Sequence, residues 1–132
     1  MAVCPLTGES TSLILPLLNA QMMQIFLGQL STDFPHYFIV MQIDNAGGHI
    51  ATELTLPENI RFIYQPPYCP QLNPIEEVFD YIKENDFRNR VFDSLDDVEN
   101  QLSRSVNTLQ EDKHRLKSMT SYPHLHGNLQ MV

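Results

Sequence analysis

Two carboxylates and the residues around them are the parts of this chain with chemistry to offer. Asp44 closes a run of apolar and β-branched residues and is followed by Asn45-Ala-Gly-Gly-His49. Glu76 closes the string Gln65-Pro-Pro-Tyr-Cys-Pro-Gln-Leu-Asn-Pro-Ile-Glu76 and opens an amphipathic stretch. A carboxylate at the end of a buried strand and another in a first helical turn are able to converge on one divalent cation. Hard cations such as Mg²⁺ take oxygen ligands, usually one or two carboxylates plus water and substrate phosphate. Two such ions about 4 Å apart clamp the attacking and leaving oxygens of a phosphodiester. Each group also has a plain structural role open to it. Asp44 would serve as the N-cap of a following short helix, and Glu76 as the third residue of a capping box. Asn45 would serve as a turn residue, His49 as a surface group, and the prolines as simple stiffening.

The elements that must position these groups follow from periodicity and punctuation. Residues 2–15 read as a β-hairpin turned by Pro5 and Gly8, with Leu13 to Leu15 as its second arm. Asn19 caps a helix of about 13 residues whose face is Met23, Phe26, Leu27 and Leu30. Its methionines suit gap-filling in a core. His36 to Ile43 reads as a strand apolar enough for the middle of a sheet with both faces covered. A short helix is expected over Ala51 to Leu54 and a further strand over Ile60 to Tyr64. Pro66, Pro67 and Pro70 then hold an extended loop poor in hydrogen bonds. Asn73-Pro-Ile-Glu76 is a helix start: Asn as N-cap, Pro at the first helical position, Glu at the third. Ile75, Val78, Phe79 and Ile82 form its buried face. Ser94 starts another helix with the stripe Leu95, Val98, Leu102, Val106 and Leu109. The pattern predicts an α/β domain with a mixed sheet flanked by helices over residues 1–110, and a loosely packed C-terminal tail over 111–132.

Composition bounds the reading. The chain has 132 residues, 42% of them apolar and 18% charged, which suits one globular domain with a core. No apolar run approaches the roughly 20 residues of a membrane span, and no secretory signal is indicated, so a cytoplasmic location without membrane partners is expected. Cys4 and Cys69 are too few for a disulfide framework or a metal knuckle. The tail histidines, His114, His124 and His126, lack metal-ligand spacing, and Asp93, Asp96, Asp97 and Glu99 suit a solvated first helical turn. The net charge is −8, with eight Lys and Arg and none in the first sixty residues. Neutralisation of phosphates by cations supplies most non-specific nucleic-acid affinity, so an unaided grip on DNA is disfavoured.

The pair Asp44-Asn45 with His49, followed by Pro67-Tyr-Cys-Pro-Gln-Leu-Asn-Pro-Ile-Glu76, resembles the second half of the DDE transposase domain of the IS630/Tc1/mariner superfamily. The similarity extends over roughly residues 2 to 110. It implies a ribonuclease H-like fold, DNA as substrate, and two Mg²⁺ or Mn²⁺ ions that activate water and then a DNA 3′-hydroxyl. By match, Asp44 is the second catalytic and metal-binding carboxylate and Glu76 the third. Asn45, His49 and Asn73 line the site.

The resemblance also shows departures. The family's first catalytic Asp has no counterpart here: nothing acidic precedes Glu9, and Asp33 falls between helix and strand. The helix-turn-helix domains that read transposon ends are absent. Phe79 stands where the family usually has Trp, and Cys69 where it has Ser. The chain therefore reads as a C-terminal piece of the catalytic domain, missing the first central strand and impaired in strand transfer on its own. Removing that strand leaves sheet edges that recruit another chain, so a homo-oligomer is expected. The alternative is a non-catalytic interaction module derived from a transposase. An unrelated metal-dependent α/β hydrolase is a third reading.

Overall fold

The computed structural model describes residues 1–44 and 52–123, and these divide into two compact units. Residues 15–73 make one; residues 1–14 together with the chain from Pro74 onward make the other.

In the first unit, Asn19 caps helix α1 (Ala20–Asp33) as its residue type predicts, its Oδ1 accepting the Met22 N–H at 2.8 Å. Phe26, Leu27 and Leu30 are buried and Met23 is half-buried, the face anticipated from their spacing. Strand β3 (Ile39–Ile43) pairs in parallel with β4 (Ile60–Tyr64), Ile39 opposite Ile60 and Ile43 opposite Tyr64. Parallel strands need a long crossover, which the intervening residues supply. Polar side chains tie α1 to the approach to β4. The Gln24 amide both donates to the Thr55 carbonyl (2.7 Å) and accepts from the Thr55 N–H (2.9 Å). Ser31 donates to Asn59 (2.6 Å), whose amide nitrogen reaches the Phe34 and Tyr37 carbonyls. Those carbonyls belong to the turn after α1, so β3 begins at Ile39 rather than at His36.

The second unit starts with a hairpin, β1 (Ala2–Val3) and β2 (Ser10–Thr11), antiparallel with Ala2 opposite Thr11. Against expectation, Leu13 to Leu15 is irregular; Pro16 follows it, and no strand among the described residues pairs with it. Helix α2 (Ile75–Ile82) runs on through a π turn at Lys83–Phe87. Helix α3 (Leu95–Glu111) is capped by Ser94, whose Oγ accepts the Asp97 N–H. Helix α4 (Lys113–Thr120) is the main departure from the loose tail expected beyond residue 111. Leu116 is fully buried with Val78, Ile82, Val106 and Leu109. The helix escapes a periodicity search because its apolar content is only Leu116 and Met119, and its start is set by a single capping group. On α3 the stripe is buried at its C-terminal end only, and Leu95 is exposed.

In place of the expected single mixed sheet, the strands among the described residues form two two-stranded sheets, β1 with β2 and β3 with β4. The architecture is mixed α/β, compatible with a ribonuclease H-like domain. With one partner strand, β3 does not have both faces covered: Val40 is 56% exposed, and Ile63 and Tyr64 on β4 are half-exposed. Asn45, His49 and Ala51 lie outside the described residues; in the rest of the helix expected over Ala51 to Leu54, Thr52 is helical, Glu53 a turn and Leu54 irregular. His124 and His126 lie outside as well.

The hairpin turn is locked to α4. Gly8 has φ +78, and a Cβ there would collide with the Lys113 carbonyl. Glu9 and Lys113 also pair across this contact at 4.0 Å. Gly8→Ala is expected to lower the unfolding free energy by about 3 kcal/mol through the left-handed backbone and the clash. Gly28→Ala, in the exposed middle of α1 with open space at its Cβ, should instead raise it by about 0.5 kcal/mol. Urea unfolding of the two variants checks both signs.

Asp112 joins α3 to α4. Its carboxylate accepts the Arg115 N–H and the Arg115 Nε, each at 3.1 Å. Those contacts, the backbone one first, hold its pKa below the ordinary 3.8. A carboxyl lowered on folding stabilises the fold above its unfolded pKa, and that support is lost as pH falls through the folded value. Asp112→Asn should therefore flatten the stability-pH curve below about pH 4, measured by thermal unfolding across acidic buffers.

Candidate active site

The C-terminal end of β3 is where Asp44 emerges. The Ile43 carbonyl accepts the Gln65 N–H at 2.8 Å, so the last peptide before Asp44 is fixed by the chain leaving β4. Asp44 itself is exposed.

From Gln65 the chain enters the proline loop. Pro66, Pro67 and Pro70 have no N–H to offer, so the loop cannot build a ladder and its carbonyls need outside donors. Two side-chain amides provide them. Gln65, only 6% exposed, donates through Nε2 to the Cys69 carbonyl. Gln42, on β3 two residues before Asp44, donates through Nε2 to Gln65 Oε1 (3.3 Å) and to the Leu72 carbonyl (3.2 Å). The Cys69 carbonyl also accepts the Leu72 N–H, and the Pro70 carbonyl the Asn73 N–H, closing one 3₁₀ turn over Pro70–Leu72. The loop is thus curled back onto the strand that delivers Asp44. At its outer bend Tyr68 adopts φ +59 and is 99% exposed.

Asn73 is extended (φ −102, ψ 100), and Pro74 already has helical dihedrals (φ −67, ψ −13). The helix itself begins at Ile75, with Pro74 in the cap position and no side-chain capping hydrogen bond from it, one residue later than the expected Asn73 cap implies, so Glu76 is the second helical residue. Both acids of the first turn of α2 suit the positive end of the helix dipole. Glu77 is engaged, accepting from the Tyr122 hydroxyl at 3.2 Å. The Tyr122 phenol is shifted up, by desolvation first and then by Glu77. Glu76 is exposed, and no hydrogen bond or ion pair among the described residues engages it. Phe79, one turn beyond Glu76 on the same side of the helix, is 46% exposed rather than part of the buried face. Val78 and Ile82 face the core instead.

Asp44 and Glu76 belong to different compact units, and each is described within its own. Both carry oxygen donors on backbone that is locally fixed, the chemistry a hard divalent cation requires. Among the described residues, no group of three or more His, Cys, Asp or Glu side chains gathers around a point.

A family model described as DDE superfamily endonuclease matches residues 1–99. The chain belongs to the DDE superfamily endonucleases. This DDE endonuclease chain is also 31% identical over 121 residues to the uncharacterized protein y4pE/y4sA of Sinorhizobium fredii (strain NBRC 101917 / NGR234), covering 89% of its own length and 88% of the relative's. No solved structure matches it. Among the described residues, no helix is long and apolar enough to cross a membrane.

Residue type singled out Asp44, Glu76 and Asn73 but not the two glutamines. A glutamine near a strand end or before Pro-Pro carries no signal by itself; its value lies in which carbonyls the fold brings within reach. Gln65→Leu keeps the bulk and removes the amide, and should cost about 1–2 kcal/mol. Hydrogen exchange should accelerate at the Leu72 and Asn73 amides, while the amides of α1 are protected as before.

Proposed function

We propose that this DDE endonuclease chain carries the second and third carboxylates of an IS630/Tc1/mariner-type transposase catalytic domain. Its substrate is DNA, and its reaction is metal-dependent strand cleavage and transfer. The observation that supports the reading most is the string Pro67 to Glu76, which leads into the first turn of α2 inside the stretch matched by the family model. Asp44 and Glu76 are the residues that would hold Mg²⁺ or Mn²⁺, with Asn45, His49 and Asn73 lining the site. A cation bound there supplies Lewis acidity and lowers the pKa of a coordinated water. The chain's own residues supply position: β4 fixes the peptide before Asp44, and the first turn of α2 orients Glu76.

Only two of the family's three carboxylates have counterparts in these 132 residues. Two carboxylates bind one cation weakly and lack the ligand needed between two, so strand transfer by this chain alone is impaired. The test is nicking of a supercoiled plasmid in Mn²⁺ by the wild type, Asp44→Ala and Glu76→Ala. Little nicking by any of the three is expected; robust nicking abolished by either substitution would overturn the impaired reading. Calorimetric titration with Mn²⁺ should show weak binding lost in both variants, and binding unchanged in either would refute a shared cation.

A second reading rests on the sheet. Among the described residues β3 pairs with β4 alone, and its Val40 is exposed. A strand edge of this kind invites pairing with another chain. On this reading the protein is a homo-oligomer, or a non-catalytic module that assembles through β3. Sedimentation at rising concentration should show a species larger than the monomer, and replacing Val40 with Pro should reduce it. A strict monomer throughout removes this reading.

A further inference from the structure

The proline loop is built to present one side chain. Tyr68 is 99% exposed, the highest value of any aromatic residue among the described residues. It occupies φ +59, a region that Gly or Asn fills readily and that a bulky L-residue enters only at an energetic cost. A turn serving only to reverse the chain would have no use for a tyrosine there. The loop is also stiff before anything binds it. Pro66, Pro67 and Pro70 restrict its backbone, the Gln65 and Gln42 amides hold the Cys69 and Leu72 carbonyls, and Pro70–Leu72 is wound into a 3₁₀ turn. A ring held out in this way loses little conformational entropy on contact.

Place and charge narrow what it contacts. The loop begins at Gln65, whose N–H bonds the Ile43 carbonyl next to Asp44. No Lys or Arg lies in residues 62–82, and the whole chain carries −8. Contacts to phosphates are therefore poorly provided for around the loop. A π-face needs no cation: base-aromatic stacking is sequence-tolerant and gains its energy from desolvation and dispersion.

We propose that Tyr68 is a substrate-binding residue that stacks on an unpaired nucleobase of the DNA. The inference rests on the reading of the chain as DNA-acting and adds to it the strand form that is bound. A base can lie flat on this ring only where it has left the duplex stack, so single-stranded or frayed DNA is preferred over intact duplex. Because the contact is not ionic, it persists as salt is raised, unlike a phosphate contact.

The test uses the full chain and a single-stranded oligonucleotide of about a dozen nucleotides with 2-aminopurine at its centre, whose fluorescence is quenched by stacking. The wild type and Tyr68→Phe should quench it with equal affinity, and intact duplex should bind more weakly. Tyr68→Leu should abolish the quenching and weaken binding by about tenfold. Tyr68→Gly should do the same while unfolding no earlier than the wild type, since glycine relieves the left-handed backbone. Quenching and affinity unchanged in Tyr68→Leu would overturn the stacking role and leave the DNA reading standing, with a protein contact as the ring's use. Marked destabilisation by Tyr68→Gly would overturn it too, by showing that the ring packs within the chain. If the wild type binds neither oligonucleotide nor duplex, the DNA reading itself fails and the stacking role with it.

Discussion

The structure around the candidate site depends on two buried or half-buried amides satisfying a loop that cannot satisfy itself. Three prolines within five residues of one another remove backbone donors, and the carbonyls left over must be met or left at a cost of a few kcal/mol. Gln65 meets Cys69, and Gln42 meets Leu72 while also steadying Gln65. Since Gln42 sits on β3 and Gln65 continues β4, the clamp makes the loop an extension of the parallel strand pair. Asp44 at the strand end and Tyr68 at the bend consequently belong to the same compact unit. Amides suit this task because one side chain donates and accepts at once.

Each compact unit solves its own stability problem differently. In residues 15–73, α1 contributes Phe26, Leu27 and Leu30, and the link to the strands is largely polar, through Gln24, Ser31 and Asn59. In the other unit three helices bury aliphatic side chains together, and the hairpin is fastened by Met1 and Val3 packed against that cluster, by Gln110 donating to the Ser10 carbonyl, and where Gly8 leaves no room for a Cβ against α4. Asp112 is the hinge piece there, ending α3 and capping α4 within a single residue. Its ionised form is the one that accepts the Arg115 donors, so the start of α4 is set by a carboxylate, while Leu116 docks the helix in the core.

Under the proposed function, an acidic chain must reconcile its charge with a polyanionic substrate. Binding that relies on Lys and Arg is closed to most of this surface, since the eight cations are scattered from Arg61 to Lys117. What that proposal leaves is recognition by shape, by stacking and through a cation that carboxylates would hold. These three make common demands: exposed groups on fixed backbone. Asp44 after a strand, Glu76 in a first helical turn and Tyr68 on a stiff loop all meet that description. Each is a position where flexibility would cost affinity and where burial would block access.

Sequence alone determined the local elements whose causes are local. Asn19 and Ser94 cap the helices their residue types predict, because a short side-chain oxygen reaches an N–H three residues on. Ile60 to Tyr64 is the strand its β-branched and aromatic content calls for, and a helix follows Asn73-Pro74, one residue later than expected. Asp44 at a strand end and Glu76 in a first turn were legible for the same reason. What only the tertiary structure decided depends on partners distant in the chain. Whether β3 is covered on both faces depends on how many strands join it, and whether residues 113–120 form a packed helix depends on a cavity between α2 and α3 that Leu116 fills. The amide clamp and the left-handed Tyr68 belong to that second class: a glutamine or a tyrosine acquires such a role only when folding brings particular carbonyls within hydrogen-bonding distance.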